Sequence, residues 1–154
     1  MPYSAGMREP LVPDSFDVPT RFQDEGFHLE PLGPEHNERD YEAWMSSIDH
    51  IRSTRGLQDW DWPTPMTLEQ NLGDLEDHAR DFRERSGFTF SILDGDEVIG
   101  CVYIYPPRSD GYDAKVRSWV RASRAEMDAV VWRSLSTWLT TEWPFEQIDY
   151  APRD

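Results

Sequence analysis

The 154-residue chain carries 30 acidic side chains against 15 basic ones, a formal net charge of −15. That length fits a single domain with its own core, and the charge works against nucleic acid and anionic membrane surfaces while favouring cationic or amine ligands. Aromatic residues make up 13% of the chain, which excludes a wholly disordered polymer. Residues 1–25 hold Pro2, Pro10, Pro13 and Pro19 with few apolar clusters and read as an extended N-terminal arm. A single domain then spans 26–154. Its first strand is the alternating run 27–32, ended by Gly33-Pro34. Pro34 suits the first turn of a helix in which Tyr41, Trp44, Met45, Ile48 and Ile51 fall at helical spacing.

A loop over 56–65 contains Trp60-Asp61-Trp62-Pro63. Thr67 with Gln70 predicts a capping box at the start of a second helix, whose buried stripe is Leu68, Leu72, Leu75, Ala79 and Phe82, with Gly87 as its C-terminal cap. Residues 88–93 and 97–105 predict two strands joined by the tight turn Asp94-Gly95-Asp96, where glycine supplies positive φ. Pro106-Pro107 ends the second of them. A fourth strand, 114–121, leads into an amphipathic helix from Arg124 to about Trp143 that buries Met127, Val131, Leu135, Trp138 and Leu139. Pro144 stops it, and 147–151 reads as a last short strand. The strand–helix–strand ending predicts a parallel pair, because that crossover needs a helix. The fold class is α/β: a mixed, mostly antiparallel central sheet with helices on both faces.

The turn Arg121-Ala122-Ser123-Arg124-Ala125-Glu126 stands where a strand feeds a helix N-terminus, a place where folds hold phosphates. It has no glycine. Ser123 and Glu126 match a second capping box, which would use the donors a phosphate needs. A phosphate loop and an ordinary capped helix are both open readings here.

The hairpin 88–105, especially Asp96-Glu97-Val98-Ile99-Gly100-Cys101-Val102, followed by Val116-Arg117-Ser118-Trp119-Val120-Arg121 and its helix, resembles the core of the GNAT superfamily, the acyl-CoA-dependent N-acetyltransferases. The resemblance covers about 26–151. It also extends to an acetyltransferase-like bacterial group through Ile48-Asp49-His50-Ile51-Arg52, Cys101-Val102-Tyr103-Ile104-Tyr105-Pro106 and Thr141-Glu142-Trp143-Pro144-Phe145. It implies acetyl-CoA as a co-substrate, bound by Trp119, Val120 and Arg121 along the fourth strand and by Ala122, Ser123 and Arg124 in the pyrophosphate turn. In that family's loop pattern, Arg124 and Glu126 stand where small residues are usual. The chain also ends soon after the family's fifth strand, so a second subunit or the N-terminal arm would have to close the site. The resemblance places the loop with Trp60, Asp61 and Trp62 at the acceptor pocket. Two rings and an acid suit an amine, and packing of both tryptophans over the sheet is the competing reading.

Acetyl transfer needs a base for the amine and an acid for the leaving sulfur. Asp113 and Tyr150 are the positional candidates. The implied activity is acetylation of a small amine. The alternative is a non-catalytic ligand-binding or oligomeric module on the same fold. The last strand lies at a sheet edge, which predicts a homodimer. Cys101, the single cysteine, is expected to be a buried core thiol, and one cysteine fits a reducing cytoplasm. His28, His36, His50 and His78 lack metal-ligand spacing, so no metal is expected. No run reaches the roughly 20 apolar residues of a spanning helix, and Met1 to Glu9 lacks a signal-peptide core, so a soluble cytoplasmic protein is expected.

Overall fold

The computed structural model describes residues 10–153; positions 1–9 of the expected arm, and Asp154, lie outside them. Six strands form one sheet in the order β1 (Phe22–Asp24), β2 (Phe27–Pro31), β3 (Phe88–Asp94), β4 (Glu97–Tyr105), β5 (Ala114–Val120) and β6 (Ile148–Tyr150). All pairs are antiparallel except β5–β6, which is parallel as its helical crossover requires. The helices are α1 (Asn37–Met45), α2 (Ile48–Arg52), α3 (Leu68–Glu84) and α4 (Met127–Thr141).

The sheet separates two cores. On one face, α4 lays Val131, Leu135 and Leu139 against Phe90, Val102, Ile104 and Val116. On the other, α1, α2 and α3 place Trp44, Ile51 and Leu75 over Leu93, Cys101 and Trp119. The strand period of two divides the sheet, and in β4 its parity switches at Ile99, which joins the α4 core while Val98 joins the other. Val102 and Ile104 of β4, with Val116 and Val120 of β5, join the α4 core, while Cys101, Tyr103 and Trp119 join the α1–α3 core. Cys101 is fully buried, as an apolar strand position requires.

Several elements differ from their sequence-based reading. The expected arm folds in its described part. Phe22–Asp24 pairs with β2, Val12 is buried, and Leu11, Phe16 and Val18 pack against the α4-side core. The Arg85 guanidinium fastens this segment by donating to the carbonyls of Pro13 and Phe16, at 2.8 and 2.9 Å. The Arg85 contacts are long-range and no local period announces them, whereas β1 and β2 form a tight hairpin whose turn holds Gly26 at φ 88°.

The helix expected from Pro34 is broken at Ser46-Ser47 into α1 and α2, preceded by a single 3-10 turn over Pro34–His36. The Thr67–Gln70 capping box forms in both directions, at 3.0 and 2.9 Å. Leu68, however, is 40% exposed, and the buried face of α3 turns to Asn71 and Leu75. Arg85, with φ 62°, caps α3 in place of Gly87. Gly87 is needed for another reason: a Cβ there would fall 2.1 Å from the Tyr105 ring. Gly95 does adopt positive φ in the β3–β4 turn.

Candidate functional site

The α1–α3 side of the sheet does not close completely. A cavity of about 620 Å³ remains between the helices, the 56–65 loop and the outer halves of β4 and β5. Its floor is aromatic. Trp60 meets Tyr103 edge-on with centroids 5.0 Å apart, and Trp62 packs on Trp44 and Trp119 at 5.2 and 5.8 Å. The Trp119 indole N–H donates to the Tyr103 hydroxyl at 2.9 Å, which satisfies a polar atom that burial would otherwise penalise. Trp60 and Trp62 both line the cavity; Asp61 is exposed and does not. The loop therefore supplies its two rings to the site, and the acids come from elsewhere.

Those acids sit on the helices. Asp40 of α1 is buried, 4% exposed, and accepts from the Asn71 side-chain amide at 3.1 Å. Desolvation pushes its carboxyl up to about 6, partly offset by that bond. Asp74 of α3 lines the mouth, and burial, with Asp77 nearby, raises its carboxyl too. One turn on, His78 Nδ1 lies 3.1 Å from the Tyr105 hydroxyl and 3.0 Å from the Thr89 hydroxyl. Burial lowers the His78 pKa, so the ring is neutral at pH 7. The Tyr105 hydroxyl donates to Asp81 at 2.9 Å and holds this corner together.

The cations come from β5 and from Arg108 in the loop after β4. Lys115 is paired with Asp149 at 3.3 Å. Arg117 sits over the Trp60 ring, 5.0 Å from its centroid. Its Nε is buried without a hydrogen-bond partner, and desolvation lowers its pKa. Asp40, Asp74, His78 and Arg117 were not assigned to this site by sequence reasoning. Asp40 left a trace: it is a charged residue three and four positions before the buried Ala43 and Trp44, hence on the inward face of α1.

The expected acyl-CoA cleft is a different place. Pairing of β5 with β6 stops at Val116–Tyr150, while β5 runs on to Val120. The wedge beyond is occupied by the protein itself. The buried Tyr150 hydroxyl lies 2.6 Å from Ser118 Oγ, and burial raises its pKa. The Arg153 side chain, 3% exposed, enters behind it. It donates to the Ser118 carbonyl at 2.8 Å, pairs with Asp128 at 3.0 Å and lies over the Tyr150 ring. A cavity of about 280 Å³ stays open between α2 and Arg153.

Trp119 and Val120 are buried on β5, and the Arg121 N–H is spent on the Ile99 carbonyl at 2.8 Å. The turn beyond is a 3-10 turn, Ala122–Arg124. Ser123 and Glu126 do not form the expected capping box. Glu126 is itself the cap position of α4, makes no side-chain cap bond, and turns to Arg124 at 3.4 Å. Ser47 instead accepts from the Ala122 N–H at 2.9 Å. Arg121 and Arg124 face Glu42, Asp94, Glu97 and Glu126. Exposed ion pairs of this kind contribute about 0–1 kcal/mol each, but two guanidiniums among four carboxylates leave a net negative turn. That field opposes a pyrophosphate, and in this conformation the wedge holds the Arg153 side chain.

Asp113 is exposed at the start of β5 and accepts from the Glu146 and Gln147 N–H groups at 2.8 and 2.9 Å, which lowers its pKa. It fastens the turn before β6. Neither Asp113 nor Tyr150 lines the aromatic cavity, so the two candidates are not brought together with Trp60 and Trp62. Among the described residues no group of three or more His, Cys, Asp or Glu side chains is arranged to hold a metal ion, and no helix is long and apolar enough to cross a membrane.

No family model and no curated protein matches the chain. Solved structures do. A probable acetyltransferase superposes with a TM-score of 0.63 at 16% identity, over 83% of this chain and 71% of that one. The ribosomal-protein-S5-alanine acetyltransferase of Vibrio fischeri gives 0.60 at 15%, over 80% and 68%. The Microcin C7 self-immunity acetyltransferase MccE, solved with acetyl-CoA and AMP, gives 0.60 at 13%, over 80% and 66%. The chain shares the fold of these acetyltransferases, the GNAT fold.

Proposed function

We propose that this protein binds a small amine-bearing molecule in the aromatic cavity, on a GNAT fold whose acyl-CoA wedge is closed by its own Tyr150 and Arg153. The observation that carries this reading is the contrast between the two sites. The acceptor-side cavity holds about 620 Å³ of space with rings and acids around it, whereas the Ser118 carbonyl on the wedge side is already hydrogen-bonded by Arg153. Aromatic faces attract a cation, and a carboxylate within the same cavity supplies the counter-charge.

A second reading, acyl-CoA-dependent N-acetylation of that amine, is supported by the shared fold with the three acetyltransferases. Calorimetric titration separates the two. Under the first reading, acetyl-CoA and CoA give no binding heat with the wild type at about 1 mM ligand. Under the second, acetyl-CoA binds. An Arg153→Ala variant, and an Asp128→Asn/Arg153→Ala variant that leaves no unpaired buried carboxylate, then show whether Arg153 was the barrier. Acetyl-CoA binding by the wild type, with acetyl transfer to an amine, would replace the first reading by the second.

A further inference from the structure

The aromatic cavity presents opposite charges that do not meet. Arg117 enters from β5, stacked on Trp60, and its buried Nε has no partner. Asp74 and Asp40 enter from α3 and α1. Among the described residues no ion pair joins Arg117 to either acid. A part-buried guanidinium without a bonded anion is costly, and so is a buried carboxylate such as Asp40 without a cation. Arg117 has only the carboxylates of Asp59 and Asp149 near it and no bonded anion, Asp40 has the Asn71 amide but no bonded cation, and Asp74 stands exposed on the same cavity, which is large enough for a small molecule.

We propose that the cavity is built for a zwitterion: a free α-amino acid with an aromatic or large apolar side chain. Its carboxylate pairs with Arg117, its ammonium with Asp74 beside Asp40, and its side chain lies among Trp60, Trp62 and Tyr103. Arginine suits the first contact because its fork accepts a carboxylate through two parallel bonds. The rings suit the side chain because they bury area at fixed orientation. A simple amine satisfies only half of this set and leaves Arg117 desolvated. The inference rests on the proposed function, since it takes the same cavity as the ligand site and adds the second charge.

The test is intrinsic tryptophan fluorescence, backed by calorimetry, with four probes: phenylalanine, phenylalaninamide, phenethylamine and N-acetylphenylalanine. Phenylalanine is expected to bind about tenfold or more tightly than the three analogues that lack one charge. Arg117→Gln is expected to erase the preference of phenylalanine over phenylalaninamide, and Asp74→Asn to erase that over N-acetylphenylalanine. Both side chains sit at the cavity wall without hydrogen bonds to the core, and thermal melts check that both variants stay folded. Equal binding of phenethylamine and phenylalanine would overturn the zwitterion while leaving the amine reading in place. No binding of any probe at about 10 mM would overturn both.

Discussion

Asp40 shows what a single buried carboxyl does to this molecule. Its pKa stands at about 6 in the fold, against an ordinary 3.8. The folded state thus holds that proton more tightly than the unfolded chain does, and folding takes up a proton between about pH 4 and pH 6. Stability contributed by this group is lost as pH rises through that window, and at pH 7 the ionised carboxylate costs about 3 kcal/mol as an upper bound. Asn71 would still donate to an amide oxygen at position 40. Asp40→Asn is therefore expected to raise the unfolding free energy by about 1–3 kcal/mol at pH 7 and by little at pH 4, read from urea melts at both values. A loss at pH 7 would mean that the carboxylate is held by more than Asn71. Such a cost, kept beside Asp74 and Arg117, is what a binding site carries rather than what a core selects.

Among the elements, the β4–β5 pair sets where the site lies. It holds Tyr103, Tyr105, Arg117 and Trp119 side by side, in the register Tyr103↔Arg117 and Cys101↔Trp119. The pairing is close at Gly100, where an added Cβ would come 2.1 Å from the Trp119 carbonyl oxygen. Backbone cannot swing aside as a side chain can. Gly100→Ala is expected to cost about 2 kcal/mol or more by forcing the two strands apart. Chemical denaturation measures it, and a cost below about 0.5 kcal/mol would show that β4 relaxes freely there. The irregularity between Ile92 and Leu93 adds to this local departure from flat pairing: Ile92 faces Gly100 while Leu93 faces Val98. On the next element, α4 takes its first bonded turn without side-chain help from Ser123 or Glu126, so the capping box that the sequence marks there does not form.

For the molecule as a whole, the net charge of −15 on 154 residues is a self-repulsion spread over the surface. Salt shortens its range to about 10 Å at 0.1 M. The melting temperature is expected to rise by about 2–5 °C between 20 and 300 mM sodium chloride, followed by circular dichroism; a fall would mean that the Arg121 and Arg124 ion pairs outweigh the repulsion. The sequence by itself determined the strands from Phe88 to Val120, the α3 capping box, the crossover helix and hence the parallel last pair. Each follows from a local period, a turn glycine or a capping residue within a few positions of its partner. It also brought Trp60 and Trp62 forward as lining residues. Only the tertiary structure decided what those rings face. Arg117 lies 57 positions from Trp60 in the chain, and Arg153 lies 35 from Ser118. Neither contact has a local pattern, because a strand's period fixes which face a side chain takes but not what another element lays against it. The filling of the wedge and the unpaired charges of the cavity are products of packing between distant segments, and there the chemistry of this fold was decided.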